Sequence, residues 1–383
     1  MAGGLLREAT WLAAERWQVP RDVPTGASNI TPVWLTAILQ RDFPRARVQS
    51  LCHLGAHAGT TDRARIGVTY DHRGTGAAPP SSVFVKTAPL DAKTRLFVNL
   101  MRLGSTEVRF YQEIAVGVPV ERPRVFHAQV HGRAQRFVLV FEDLVERSAR
   151  FTDVAADTTL DEARLVMREL GRLHAHFWDS PRLRSDLAWL KSRDHNSNTR
   201  IERLLCARAV PLALKRFAEL VPLELRVAAP RIMAARDSLE DAWARGPLTL
   251  IHGDAHVGNL YFLPSTVGFL DWQVVQRGQG MRDVSYFLIN SLPTETRQTH
   301  QRDLIGLYLV TLRDHGIAVP DFEAAWEQYR LHAIYAWIAT IVTAAAATLQ
   351  VEKIVRAALA RSSAAVMELD ALGALDALRT GAG

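Results

Sequence analysis

One change of texture constrains this chain more than any other feature. Up to about residue 145, strand-like runs alternate with helical ones. Beyond about residue 150 the pattern is helical almost to the end, except for a single β-like island, LTLIHGDAHVGNLYFLPSTVGFLDWQVV, over 248–275. Strands gathered early and helices late describe an α+β protein. At 383 residues the chain also exceeds what one small core serves. We therefore expect two lobes: residues 1–145, an antiparallel sheet with one main internal helix, and residues 146–383, larger and mostly helical.

Local signals fill in the first lobe. Thr31-Pro32 supplies a capping hydroxyl and a first-turn proline, which opens a short helix. VQSLCHL (48–54) and RARIGVTY (63–70) read as strands around the turn-rich GAHAGTTD, and Val83-Phe84-Val85 is a compact strand ending at Lys86. A helix is predicted over 97–114, where Leu100, Leu103, Val108 and Tyr111 share a face. The strand FVLVF (137–141) stops abruptly at Glu142-Asp143-Leu144. In the second lobe, residues 160–178 carry apolar side chains at helical spacing, with Asp161 and Glu162 at the dipole-favoured end.

Composition excludes several partners. Basic residues outnumber acidic ones, 46 to 40, for a formal charge of +6, but 41 of the 46 are arginines spread along the whole chain. No basic patch or aromatic–basic interleaving appears, so no nucleic acid is expected. Cys52 and Cys206 are too few for a disulfide framework or a structural zinc set, which favours a reducing, cytoplasmic location. Residues 1–19 are apolar on one face but broken by Arg7, Glu8, Glu15 and Arg16, an amphipathic helix and not a secretory signal. The stretch 333–351 has no formal charge over 19 residues, close to the length of a bilayer span. Its Ala and Thr contribute little transfer energy, so we read a buried helix and expect no membrane.

The island holds the chemistry. His252-Gly253-Asp254 follows an apolar strand, Asn259 comes five residues after Asp254, and a short hairpin returns Asp271. Two carboxylates and an amide brought together are the hard oxygen ligands that Mg²⁺ takes, phosphates and water completing its shell. Asn259 and Asp271 suit the metal, and Asp254 is left to face an attacking hydroxyl. Any one of them alone is equally an ordinary loop residue bonding its own backbone; their joint order and spacing carry the reading. His252 and His256 read as structural, and no helical His-x-x-x-His pair marks a zinc site.

HGDAHVGN…LDWQ resembles the catalytic and metal loops of the aminoglycoside phosphotransferase and choline kinase superfamily, whose members share a two-lobed protein-kinase-like fold. The spacing follows the kinase order of base, asparagine and metal-binding aspartate. His-Gly-Asp stands where protein kinases have His-Arg-Asp, and Asp-Trp-Gln where they have Asp-Phe-Gly, as in the small-molecule branch. TPVWLTAIL and FVLVFEDL look most like the ecdysteroid-kinase-like branch and its bacterial relatives. The resemblance implies ATP and Mg²⁺ as cofactors, with Asp254 catalytic and Asn259 and Asp271 on the metal. It implies Lys86 on the phosphates, oriented by Glu107, with Glu113 the competing carboxylate on the same helix. It further implies a phosphate-covering turn over 55–61 with Gly55 and Gly59, although no clean Gly-x-Gly-x-x-Gly is present. Phe141, Glu142 and Leu144 would contact the nucleotide through main chain. Asp283 is placed to cap the helix DVSYFLINSL, and His174, His176 and Trp178 read as core.

The implied reaction moves the γ-phosphoryl group of ATP to a hydroxyl of a small molecule held by the helical lobe. A polycationic antibiotic calls for a strongly acidic cleft. The nearly balanced charges of the helical segments do not suggest one, although Asp321, Glu323 and Glu327 form a local acidic group. The expected acceptor is therefore neutral or bulky, with aromatics such as Trp243 and Tyr335 available to line its pocket. An aminoglycoside O-phosphotransferase is the alternative. A nucleotide-binding pseudoenzyme or scaffold is a second, against which the intact Lys86, Asp254, Asn259 and Asp271 set speaks.

Overall fold

The computed structural model describes residues 23–72, 76–131, 136–196, 199–346 and 351–380. The amphipathic helix predicted over 1–19 lies outside them. The chain divides into two units, Met1–Gly117 with Arg122–Ala149, and Val118–Glu121 with Arg150–Gly383.

In the first unit, α1 (Pro32–Leu39) starts as its sequence dictates: Thr31 Oγ1 accepts the Trp34 N–H at 3.2 Å. Five antiparallel strands follow: β1 (Arg47–Ala58), β2 (Asp62–His72), β3 (Ser82–Thr87), β4 (Val125–His131) and β5 (Arg136–Glu142), ordered β1-β2-β3-β5-β4. Leu35 and Leu39 of α1 pack with Ile66, Val83, Val85, Val138 and Val140 on one face of this sheet. Side chains alternate along a strand, so Phe84 and Lys86 point to the other face.

Three details differ from the sequence expectation. The helix predicted over 97–114 is two helices, α2 (Ala92–Leu100) and α3 (Leu103–Glu113), parted at Arg102 in the left-handed region with φ 58°. The break serves packing, because α3 approaches β5 so closely that a Cβ on Gly104 would lie 2.1 Å from the Phe137 ring. Second, the stretch 55–62 is mostly strand. Gly55, Ala56 and His57 pair with Arg65, Ala64 and Arg63 across a register shift at His53/Gly55, leaving a turn over only 59–61. Cross-strand pairing here overrides weak β-propensity. Third, β4 was not read from the sequence. It is an edge strand with Phe126 as its one buried residue, so it carries no apolar alternation to detect.

The second unit is helical around small β elements: β6 (Arg150–Phe151), α4 (Leu160–Phe177), α5 (Thr199–Arg216), α6 (Leu223–Ala234), α7 (Arg236–Ala242), β7 (Thr249–Ile251), β8 (Leu260–Leu263), β9 (Thr266–Phe269), β10 (Gln276–Gly278), α8 (Met281–Ser291), α9 (Thr294–Asp314), α10 (Phe322–Ala345), α11 (Glu352–Glu368) and α12 (Ala371–Thr380). A capping box starts α4: Thr159 accepts the Glu162 N–H, and Glu162 accepts the Thr159 N–H. The β-like island folds into β7, paired antiparallel with β10, and the β8–β9 hairpin, flanked by β6. Most of the uncharged stretch from 333 falls in α10, where Ala333, Trp337, Ile341 and Ala344 are buried in the helical core. Among the described residues no helix is long and apolar enough to cross a membrane.

Candidate active site

Two groups of side chains stand where the sequence placed its chemistry, one in each unit. In the first, Lys86 Nζ lies 2.5 Å from Glu107 Oε2, and both side chains are almost fully buried. Lys86 reaches this face through strand alternation, and Glu107 is brought over it by the close approach of α3. Glu113 is instead held by Arg109 at 2.6 Å near the surface. The packing therefore selects Glu107 over Glu113. At the tip of the β1–β2 hairpin, a Cβ on Gly55 or Gly59 would meet nothing within 4 Å, so the fold itself does not require either glycine. After β5, Asp143 accepts from Arg65 (2.9 Å), Ser82 (2.7 Å) and the Val145 N–H (3.1 Å), which sets the path of the connector from Phe141 to Leu144. Within the connector Glu142 Oε1 accepts the Arg124 N–H, just before β4, at 2.8 Å, and Phe141 packs edge-on against Tyr111.

In the second unit the loop after β7 is held from below by one carboxylate. Asp283, fully buried in the first turn of α8, accepts the backbone N–H groups of His252 (2.6 Å) and Gly253 (2.9 Å). Its expected role as a cap for its own helix is thus corrected: the N–H groups it satisfies belong to the loop. His174, on α4, bonds Asp283 through Nε2 (3.3 Å) and the Tyr308 hydroxyl through Nδ1 (3.0 Å). It is core, as expected, but His176 is exposed and Trp178 only half-buried, so the expectation of core positions fails for His176. Burial works against ionisation of Asp283, but the His174 hydrogen bond and charge and the loop N–H groups outweigh it, and the carboxyl sits below its ordinary range. Gly253 has φ +86°, and a Cβ there would come 2.4 Å from the Val274 carbonyl oxygen. Only glycine fits this turn.

His252 and Leu270 bring the hairpin back to the loop. His252 Nε2 donates to the Leu270 carbonyl (2.8 Å) while its Nδ1 accepts the Asp254 N–H (3.3 Å). The Leu270 N–H in turn donates to the Asn259 carbonyl (2.8 Å). Clamped at both its polar groups, Leu270 delivers the next residue, Asp271, beside Asp254. Asp271 has left-handed φ 60°, ψ 61°, a conformation a non-glycine residue keeps only when its surroundings impose it. Burial, with the Asp271 charge adding, pushes the Asp254 carboxyl up against the opposing pull of His256 and His252. The Tyr286 hydroxyl also interacts with Asp254. The sequence reading missed Tyr286, which sits between Ser285 and Phe287 on α8 with no motif to mark it.

Asn259 gives the clearest chemical orientation. Its Nδ2 donates to both the carbonyl and Oδ2 of Asp254, each at 2.9 Å. The reverse amide orientation would set an oxygen against two acceptors, so Oδ1 faces away from them. Among the described residues no group of three or more His, Cys, Asp or Glu could hold a metal ion. What the loop offers is an amide oxygen and a carboxylate, the partial oxygen set with which Mg²⁺ is bound when phosphates and water supply the rest. Asp321, Glu323 and Glu327 do not form an acidic cleft: Asp321 caps α10 through the Ala324 N–H (2.7 Å), Glu323 pairs with Arg302 (2.8 Å) and Glu327 with Arg330 (2.7 Å).

An antiparallel sheet carrying a buried Lys–Glu pair, and a helical unit carrying an Asp–Asn loop with a returned Asp, together define the protein-kinase-like fold in its small-molecule form. The sequence model of the ecdysteroid kinase-like family matches residues 60–319, and the chain belongs to that family. Similar solved structures agree on the fold. A putative aminoglycoside phosphotransferase from Ralstonia eutropha has a TM-score of 0.53 at 14% identity, over 88% of this chain and 98% of that one. A choline/ethanolamine kinase family protein from Mesorhizobium loti has 0.50 at 14%, over 90% and 98%. The GDP complex of wild-type aminoglycoside 2'-phosphotransferase-IIIa has 0.50 at 14%, over 92% and 100%. No curated protein sequence matches the chain.

Proposed function

We propose that the protein transfers the γ-phosphoryl group of ATP to a hydroxyl of a small acceptor. The observation that carries this is the Asp254–Asn259 bond pair, which fixes a carboxylate and turns the amide oxygen of Asn259 away from it. Lys86, oriented by Glu107, holds the α/β-phosphates, and main chain over 55–61 and 141–144 contacts the nucleotide. Asn259 and Asp271 would hold Mg²⁺, which when bound would neutralise charge on the phosphates. Asp254 orients the acceptor hydroxyl. As that oxygen bonds to the γ-phosphorus, the bond to the β–γ bridging oxygen breaks, ADP leaves, and the hydroxyl proton passes to Asp254. Transfer to the carboxylate comes late, because a carboxyl far weaker in basicity than an alkoxide cannot strip an alcohol beforehand.

The test compares wild type with Asp254→Asn by nucleotide binding and by phosphate transfer to a library of hydroxylated metabolites. The variant keeps ATP affinity within about threefold and loses turnover by roughly a hundredfold or more. Equal loss of both would mean that Asp254 binds nucleotide. No transfer and no Mg-ATP binding in wild type would favour a scaffold.

A further inference from the structure

A pocket opens beside the catalytic loop, lined wholly by the second unit. Gln276 is in its wall, and Gln276 Nε2 stands 2.8 Å from where a Cβ on Gly253 would lie, one residue before Asp254. Five basic side chains line the pocket against three acidic ones. Each acid is already engaged: Glu202 by Lys191 (2.5 Å), Glu240 by Arg193 (2.9 Å) and Arg236 (3.0 Å), and Asp194 by Arg277 (3.6 Å). Arg282 alone of the five makes no close ion pair with a carboxylate among the described residues, its charge reaching Glu202 only at longer range. It donates one hydrogen bond, Nη1 to Gln276 Oε1 at 3.3 Å, and its Nε is buried without an acceptor. The guanidinium lies over the Tyr335 ring, 3.6 Å from the centroid. Tyr335 in turn meets Trp243 edge-on at 5.7 Å and packs against Tyr286, the residue that interacts with Asp254.

We infer that this pocket receives the acceptor, and that the acceptor is a hydroxy acid whose carboxylate pairs with Arg282. Its apolar body rests on Tyr335 and Trp243, and its hydroxyl is presented to Asp254. The surplus positive charge repels a polycation, and a guanidinium with idle N–H groups fits the planar carboxylate better than a neutral hydroxyl. The acceptor thereby departs from the neutral class expected from sequence: it is an anion with an apolar body. The inference rests on the phosphotransfer reading for its hydroxyl, but the carboxylate site is testable without it.

Calorimetry on the full chain without nucleotide would compare hydroxy acids with their methyl esters, para-hydroxymethyl benzoate being one pair of the panel. The acids bind about tenfold more tightly than their esters, the effect of one charge-assisted contact. Arg282→Gln removes that preference and Arg282→Lys retains part of it, with thermal melts of both variants confirming a folded chain. If no acid outbinds its ester, or if Arg282→Gln leaves the preference intact, the inference is overturned. Phosphate transfer to the same panel separates the two readings. Acids that bind through Arg282 but are never phosphorylated, while other hydroxyl compounds are, sustain the kinase and overturn the pocket as its acceptor site. Esters phosphorylated as well as acids sustain the kinase and refute the pocket.

Discussion

Replacing Asp283 by asparagine keeps the side chain's shape and removes its charge. In the native loop one oxygen takes the His252 N–H (2.6 Å) and the His174 ring (3.3 Å), and the other takes the Gly253 N–H (2.9 Å). The amide has one acceptor oxygen. Even in its better orientation it leaves the Gly253 N–H facing an NH₂ group, a buried donor without a partner, at a cost of about 1–3 kcal/mol. The two remaining bonds also lose their charge assistance, roughly 1 kcal/mol each. We expect a total destabilisation of about 3–5 kcal/mol at neutral pH. In a unit of this size that lowers Tm by roughly 6–15 °C. Because the folded-state carboxyl lies below its ordinary range, the wild-type advantage is full above that range and is lost as pH falls through the lowered value. Calorimetric melting would measure the shift, and amide hydrogen exchange would locate it at residues 252–259. A melt within about a degree of wild type, with unchanged protection of the loop, would refute the idea that Asp283 braces it.

Other expectations follow from buried charge. Lys86→Met leaves the Glu107 carboxylate buried without its ammonium and costs about 3–5 kcal/mol. Lys86→Met combined with Glu107→Leu recovers most of that in a thermal melt but not nucleotide-dependent turnover. A double variant that melts no higher than the single one would count against the pair as a unit. His332 is fully buried, bonds Gln279 Oε1 through Nε2 (2.8 Å) and stacks on Trp243. Burial, with Arg282 nearby, holds its pKa well below the ordinary 6.5. Its contribution is therefore complete above 6.5 and declines below it, by up to about 1.4 kcal/mol per pH unit until the folded-state value is reached. Melting curves between neutral and mildly acid pH should flatten in His332→Gln; an unchanged slope would assign the acid sensitivity elsewhere.

Much of the site was legible because its geometry is local. Asp254, Asn259 and Asp271 lie within 18 residues, joined by a tight turn and a short hairpin, so their grouping could be read from a local segment. That glycine is needed at 253 emerged only with the structure, which gives its backbone φ +86°. The strand ending in Lys86 and the helix opened by Thr31-Pro32 were equally readable from alternation and capping. Long-range choices were not. Glu107 was preferred to Glu113 only through the family resemblance; helical spacing did not separate them, and the physical choice is made when α3 settles against β5 at Gly104 and Glu107 is buried over Lys86. Asp283 looks like a helix cap until the loop 30 residues upstream is folded onto it. The arginines look evenly scattered until α7, β10 and α8 set Arg236, Arg277 and Arg282 around one pocket. Residue order alone determined the chemistry on offer, because short segments take their shape from neighbours a few bonds away. Which carboxylate is buried over the lysine and which pocket arginine makes no close ion pair among the described residues were decided only when distant surfaces packed, because burial and charge pairing depend on groups the local chain does not contain.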